Sequence, residues 1–496
     1  MAAKGAELAV GAHGGMPPPE AIPTRKLLLS LLAISLGTVI ECALPRAALT
    51  VYSQLSKVLA VVFFPSGNPA VQAVSFWGLF AVGFLSRPVG AILFGHLGDT
   101  KGRGTCLLVT VLLMGIPTVL IGCLPSYATI GIAAPILLAV LRLVQGLAMG
   151  GEFGAAMVYL VELANPRYKA LTGSLGYISL GSGVVLGILV VAATMAGLSE
   201  EALLAWGWRV PFLLSVITLA VAAILRYNMP ESSEFTASRE ALEDEVAARS
   251  AAAQHAQHGA PAPAAGEADA AVAISDDVEG GAAAASGAGR HYVPVLELFR
   301  GYWAGLALHA LYGTWISASF LIGYSWLPSY LVKHGGIPTR LTLWMVLSCM
   351  LLFTGMVPLA GLASDRGLPR LTTTIALALA SAGAAVPMFM GFASGSLALA
   401  WVLQAALLAM SGFAMGMLPA VVAAIYPAGV RISGCNLGVN LSSTFGGVCP
   451  LIITAVQAAT GSVVHGPGIV LAATGLITAV ASAVLMRHCP AANKAR

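Results

Sequence analysis

Apolar residues in this chain fall into long continuous runs, not into alternation and not along one stripe of a helical repeat. Six runs lie near 27–49, 73–95, 105–125, 135–161, 172–197 and 209–227. Six more lie near 303–330, 341–363, 371–392, 396–419, 433–458 and 467–487. Each approaches the roughly 20 residues that a helix needs to cross a bilayer core about 30 Å thick. Lipid offers the backbone no hydrogen-bonding partner, so continuous runs of this length must be helices, and the lack of alternation excludes a β-barrel. The pattern predicts an all-α membrane protein with twelve transmembrane helices in two six-helix bundles.

The polar stretches complete the plan. Residues 1–26, rich in Ala, Gly and Pro, lack an early apolar core and read as a disordered tail with no cleavable signal. Residues 27–230 form the first bundle, 300–488 the second, and 489–496 a short tail. Between the bundles, 231–299 is Ala/Gly-rich and holds 12 of the 21 acidic residues. Such a segment buries too little apolar surface to pack, which predicts a disordered linker with a surface helix at 234–249.

Composition agrees with lipid as the solvent. Of 496 residues, 58% are hydrophobic and 9% charged, against about 25% charged in a soluble domain. Charge placement gives the orientation. With both termini in the cytoplasm, 18 of the 25 Lys and Arg residues fall on the cytoplasmic side. Five fall opposite, Arg46, Lys57, Arg209, Lys333 and Arg340, and two, Arg87 and Arg142, fall within runs. This bias obeys the positive-inside rule and accounts for the basic balance of the chain. The plasma membrane and a monomer are the default expectations. The seven cysteines show no metal-ligand spacing.

Candidate chemistry sits where charge enters lipid. Glu41 lies in the first run, Arg87 in the second, and Arg142 and Glu152 in the fourth. Intramembrane ionisable groups are costly, so they face the protein interior or a wet path. These four either neutralise each other structurally or form a proton and solute pathway. Gly146 and Gly150 follow Arg142 at four-residue steps, which permits close helix approach. In the eleventh run Asn436 and Asn440 share one helix face, followed by Ser442, Ser443 and Thr444. The seventh run is aromatic and polar, with Trp326 and Tyr330 placed as interfacial anchors and His309 as a lone structural polar residue.

Two loops repeat between the halves. After the second run stand Gly95, Asp99 and Arg103; after the eighth stand Gly361, Asp365 and Arg366. An Asp four residues after a Gly recurs at matching places, as parallel halves would give. A carboxylate and a guanidinium at a helix end are suited to latch onto a neighbouring bundle or helix terminus, which makes these loops candidate gates. There is no nucleotide-binding loop, zinc cluster or catalytic triad. The expected partners are therefore a small solute, H⁺ and the lipid bilayer, with no nucleic acid, metal or cofactor, and no enzymatic activity.

These motifs resemble the major facilitator superfamily and, within it, the metabolite–proton symporter family of proline/betaine, α-ketoglutarate, citrate and shikimate transporters. The resemblance is carried by Gly83-Phe-Leu-Ser-Arg87-Pro88-Val-Gly90 running into the first loop, by Arg142 to Glu152, by Trp206 to Phe212, by Pro230 to Phe235, and by Tyr426 to Gly434 with Asn440 after it. It implies a central site, alternating access and proton-driven symport of a small polar organic solute. By position it assigns Arg87, Arg142 and Glu152 to the pathway and Asp99 and Arg103 to the gate. The chain departs from the family at Glu41-Cys-Ala-Leu44, where an aromatic pair and an Asp normally follow the Glu, and at Thr100 and Gly104. An uncoupled facilitator or a sugar-type porter on the same fold is the alternative, although the seventh run has no paired Gln. A receptor or scaffold is a further one, but a scaffold has no reason to keep charge in lipid.

Overall fold

The structure, a computed structural model, describes residues 49–66, 68–101, 103–162, 168–227 and 294–493. Glu41 and the 234–249 segment lie outside the described residues, as do the side chains of Asp99, Arg103 and Glu152. The first half contributes α1 (Ser56–Phe63), α2 (Pro69–Leu85), α3 (Arg87–Lys101), α4 (Arg103–Cys123), α5 (Ala133–Glu162), α6 (Lys169–Gly197) and α7 (Arg209–Tyr227). The second contributes α8 (Pro294–Gly301), α9 (Trp303–Leu321), α10 (Leu327–His334), α11 (Thr339–Asp365), α12 (Arg370–Ala393), α13 (Leu397–Ile425), α14 (Ala428–Thr460), α15 (His465–His488) and α16 (Pro490–Asn493).

Among the described residues, nine helical stretches are long and apolar enough to cross a membrane, and the bent pair Glu200–Gly207 and Arg209–Val221 makes a tenth. Leu108–Cys123 is a shorter apolar helix. The expected run 27–49 ends too early: helix continues from Leu49 through most of the segment to Phe63. Gln54 and Lys57 look like a loop by composition, yet they are helical because their polar ends reach a cavity.

Local signals set the helix ends. Asn68 caps α2, its Oδ1 accepting from the Ala70 amide at 2.9 Å, with Pro69 at the first helical position. Gly367 takes φ 111° in the turn from α11 to α12, a conformation that a side chain resists. Pro117, Pro358, Pro387, Pro419 and Pro450 sit inside helices. Membrane helices tolerate them because neighbouring groups can satisfy the freed carbonyls.

α9 and α10 are one span joined through a π-helical turn, Ile322–Trp326. Carbonyls near that turn are met by side-chain amides. Gln404 donates to the Gly323 oxygen at 2.9 Å, and Gln54 of the other half donates to the Tyr324 oxygen at 2.7 Å. Trp326 and Tyr330 do not anchor in the lipid interface. Both are buried in protein, with the Trp326 indole donating to Thr454 at 3.1 Å and the Tyr330 hydroxyl to the Val463 oxygen at 3.1 Å. His309 is fully buried, with Nδ1 3.2 Å from the Tyr426 hydroxyl.

In the first half α3 packs on α5 and α4 on α7; in the second α12 packs on α15 and α9 on α14. The halves meet along α2 with α14 and α6 with α11. Large apolar side chains such as Ile136, Val140, Ile217, Trp344, Val402 and Val480 face outward. That surface belongs against lipid tails.

Candidate functional site

Separate cavities between the halves mark a path from one end of the bundles toward the other. At the open end, beside the α10–α11 turn, lies a vestibule of about 670 Å³. Its lining includes Gln54, Lys57, Phe76, Trp326, Lys333 and Arg340. That volume falls within the roughly 300–1,000 Å³ of small-molecule sites. Deeper, a second cavity of about 60 Å³ is lined by Arg87, Tyr177, Ser317, Tyr324, Asn440 and Ser443. Water takes about 30 Å³ in the liquid, so this inner space admits water and excludes a metabolite. Of these two cavities the vestibule is the solute-sized one.

Arg142 sits beside that path. It is 3% exposed, and its guanidinium carbon lies 3.4 Å from the centre of the Tyr52 ring. The same ring stacks on Phe76 of the vestibule wall at 4.7 Å. Nε and Nη2 of Arg142 have no hydrogen-bond partner among the described residues. A cation–π contact contributes about 2 kcal/mol when desolvated, less than the several kcal/mol that a buried charge costs. The balance calls for an anion at Arg142, either a carboxylate of the chain or a solute. Arg87 lies deeper in α3, its Nη2 3.3 Å from the Met149 sulfur and its guanidinium carbon 3.7 Å from the centre of the Phe84 ring.

At the inner cavity and beyond it the halves are joined. Asn440 donates through Nδ2 to the Gly150 oxygen at 2.9 Å and to the Asn436 oxygen at 2.8 Å. Thr444 donates to the Phe84 oxygen at 2.9 Å. At the far end Asp365 accepts from the Ala170 amide at 3.0 Å and the Leu171 amide at 2.9 Å, and so caps the N-terminus of α6 in the opposite half. A Cβ at Gly361 would stand 2.8 Å from the Leu171 Cα, so only glycine lets α11 approach this closely. Arg366 is exposed, whereas Arg370 is buried and donates through Nε to Ser364 at 2.7 Å.

The structure therefore gathers Arg87 and Asn440 at one cavity, with Arg142 beside the path above them and Asp365 at the closed end. Tyr52, Gln54 and Tyr177 join this set without a distinctive sequence signal, because tyrosine and glutamine in apolar runs are ordinary until a neighbour is known. Among the described residues no group of three or more His, Cys, Asp or Glu is placed to hold a metal.

Asp365→Asn tests the far-end contact. A charged cap on a helix N-terminus contributes about 1–2 kcal/mol, or a factor of about 5 to 30 in a two-state ratio. The rate at which a thiol reagent reaches a cysteine introduced by Ser443→Cys from the closed end, in a cysteine-depleted background, should rise by that order. An unchanged rate would show that Asp365 does not hold the end shut.

Comparison with known proteins agrees with this architecture. The profile of the sugar (and other) transporter family matches residues 46–489. The chain is 31% identical over 438 residues to the inner membrane metabolite transport protein YhjE of Escherichia coli K12, covering 86% of this chain and 87% of that protein. It is 39% identical over 211 residues to the alpha-ketoglutarate permease of the same organism, covering 42% of this chain and 48% of that one, so the chain spans about half of that relative's length. It is also 29% identical over 406 residues to the glycine betaine/proline/ectoine/pipecolic acid transporter OusA of Dickeya dadantii, covering 81% and 73%. Among solved structures, the proton:xylose symporter XylE bound to 6-bromo-6-deoxy-D-glucose superposes with a TM-score of 0.67 at 17% identity, covering 93% and 96% of the two chains. That likeness concerns the fold. The chain is a multi-pass membrane transporter that belongs to the sugar (and other) transporter family and has the major facilitator fold.

Proposed function

We propose that the protein is a proton-coupled symporter of a small polar organic solute, working by alternating access in the cell membrane as a monomer with both termini in the cytoplasm. The observation that carries this reading is Arg142, a buried guanidinium whose Nε and Nη2 are idle among the described residues, beside a path open at one end and joined at the other. With the termini inside, the vestibule faces outward and the Asp365 contact faces the cytoplasm. Arg87, Arg142 and Asn440 bind and orient the solute. Glu41 and Glu152 carry the proton, because a carboxylate that pairs with a guanidinium releases it on protonation. Asp99, Arg103, Asp365 and Arg366 form the two gate loops. The relatives named for metabolites and osmolytes support this solute class.

The test is uptake into proteoliposomes under an inward proton gradient with a pH dye inside. Glycine betaine, proline, α-ketoglutarate, citrate, shikimate and glucose form the panel. Acidification that depends on solute is expected, and Glu152→Gln should uncouple uptake from it while the protein still inserts. Uptake without proton movement would favour the uncoupled facilitator, and uptake of glucose alone the sugar-type porter. Proton-driven accumulation unchanged in Glu152→Gln would remove that residue from coupling.

A further inference from the structure

The outward end of a membrane protein is normally poor in Lys and Arg, since topology selects against them there. The sequence leaves five on that side, and three of them, Lys57, Lys333 and Arg340, converge on the vestibule. Arg209, by contrast, is committed elsewhere, donating to the Leu124 and Ala205 oxygens and lying over the Trp208 ring. The lining carboxylate is Glu200, which interacts with Lys57. Among the described residues, three cations against one anion leave a net charge of +2 on the lining with His334 neutral. Lys57, Lys333 and Arg340 are exposed, and Arg340 makes a long contact, 3.4 Å, to the Met195 oxygen. A concave site with low-dielectric walls and charge of one sign focuses its field and raises the local concentration of counter-ions.

We infer that the vestibule is an anion-collecting antechamber, in which Lys57, Lys333 and Arg340 gather small organic acids as their carboxylates before these reach Arg142. The inference rests on the transporter reading above and narrows its solute to an anion. The geometry agrees with the order of events. The vestibule has room for a small organic acid, the inner cavity has none, and the Arg142 guanidinium stacks on the ring that in turn stacks on the vestibule wall. A carboxylate drawn to the mouth therefore meets a second, desolvated cation deeper in. The idle Nε and Nη2 are suited to bind it as a fork.

The test reads the local potential directly. Val61 lines the vestibule and is half exposed, so Val61→Cys in the full chain reports on it. Anionic and cationic thiosulfonates of similar size are compared, each normalised to a free thiol. The anionic reagent should be favoured. The combined variant Lys57→Gln, Lys333→Gln, Arg340→Gln should lower that preference about tenfold at low ionic strength and little at high salt. The charge-conserving pair Lys333→Arg and Arg340→Lys should keep the preference, which separates charge from misfolding. α-Ketoglutarate should protect the cysteine more than glycine betaine does, and that difference should vanish in the neutralised variant. The proposal is overturned by a reagent preference that is absent or unmoved by neutralisation, or by equal protection from the two solutes. Absence of proton-coupled uptake would overturn the symport reading alone and leave these rates untouched.

Discussion

Arg142→Ala is expected to lower solute uptake roughly 100-fold or more while leaving the protein inserted and monodisperse. Truncating one partner of a buried charge pair costs about 2–5 kcal/mol of binding, and every 1.4 kcal/mol is about tenfold. The fold should survive because Arg142 contributes little to packing that Tyr52 does not retain on its own. The Tyr52 ring keeps Phe76 at 4.7 Å and Phe80 at 6.3 Å. A buried cation whose Nε and Nη2 find no partner among the described residues is a cost to the folded state, so its removal should not lower thermal stability. Arg142→Lys should recover part of the uptake, since it restores the charge but not the planar fork. Initial rates in proteoliposomes, with protein content measured by size exclusion, decide the matter. Normal uptake by the alanine variant would remove Arg142 from the mechanism.

The second large effect concerns backbone contact. Gly150→Leu should abolish the folded transporter, with the monodisperse yield falling at least about tenfold. A Cβ at this position would overlap the Arg87 carbonyl oxygen and press on the Ala91 amide, both backbone atoms that cannot rotate aside. Gly146 meets the Gly83 oxygen in the same way, so α5 lies against α2 and α3 along a row of glycines. Overpacking usually costs about 1–3 kcal/mol where side chains can yield; here α5 would have to leave the bundle. Its displacement would also carry away the Gly150 oxygen that Asn440 reaches from the other half. Gly383→Ala is the control, because no atom outside its own helix stands within 4 Å of a Cβ there. It should fold normally, with a small gain from helix propensity. A folded, active Gly150→Leu protein would contradict the observed helix spacing.

The relation of the two halves gives these contacts their meaning. Asn440, Thr444 and Asp365 each join one half to the other at the inner cavity or beyond it, away from the vestibule. Opening that side must break them: Asn440 and Thr444 each give one hydrogen bond to the other half and Asp365 accepts two, all of modest strength. A set of weak contacts that yields together suits a transporter that must reverse its access many times.

How far the chain could be read in advance follows from the physics of each feature. Apolar run length reports directly on bilayer thickness, so the runs from 135–161 onward match helices such as Ala133–Glu162 and Thr339–Asp365 to within a few residues at most ends. The first run misleads at its end, because Gln54 and Lys57 are helical residues facing a cavity that composition does not reveal. Charge in lipid singles out Arg87 and Arg142 without any structure, since the cost of burying a guanidinium is visible from its position alone. The repeated Gly-to-Asp spacing likewise marks Asp365, though not its partners, which are backbone amides 195 and 194 residues away in sequence.

The sequence by itself determined what is governed by local or one-dimensional physics: helices as the response to lipid, and the few charged residues too costly to be incidental; it further predicts twelve spans by run length and an orientation by the Lys and Arg count. Tertiary structure alone decided what depends on which surfaces meet. It set Tyr52 against Arg142, brought Gln54 to the Tyr324 oxygen, drew Trp326 and Tyr330 out of the lipid interface, and gathered Lys57, Lys333 and Arg340 around one vestibule. The physical reason is that an apolar run constrains a helix only along its axis. Its rotation, depth and neighbours are fixed by close packing against other helices, and that information is spread over residues far apart in the chain.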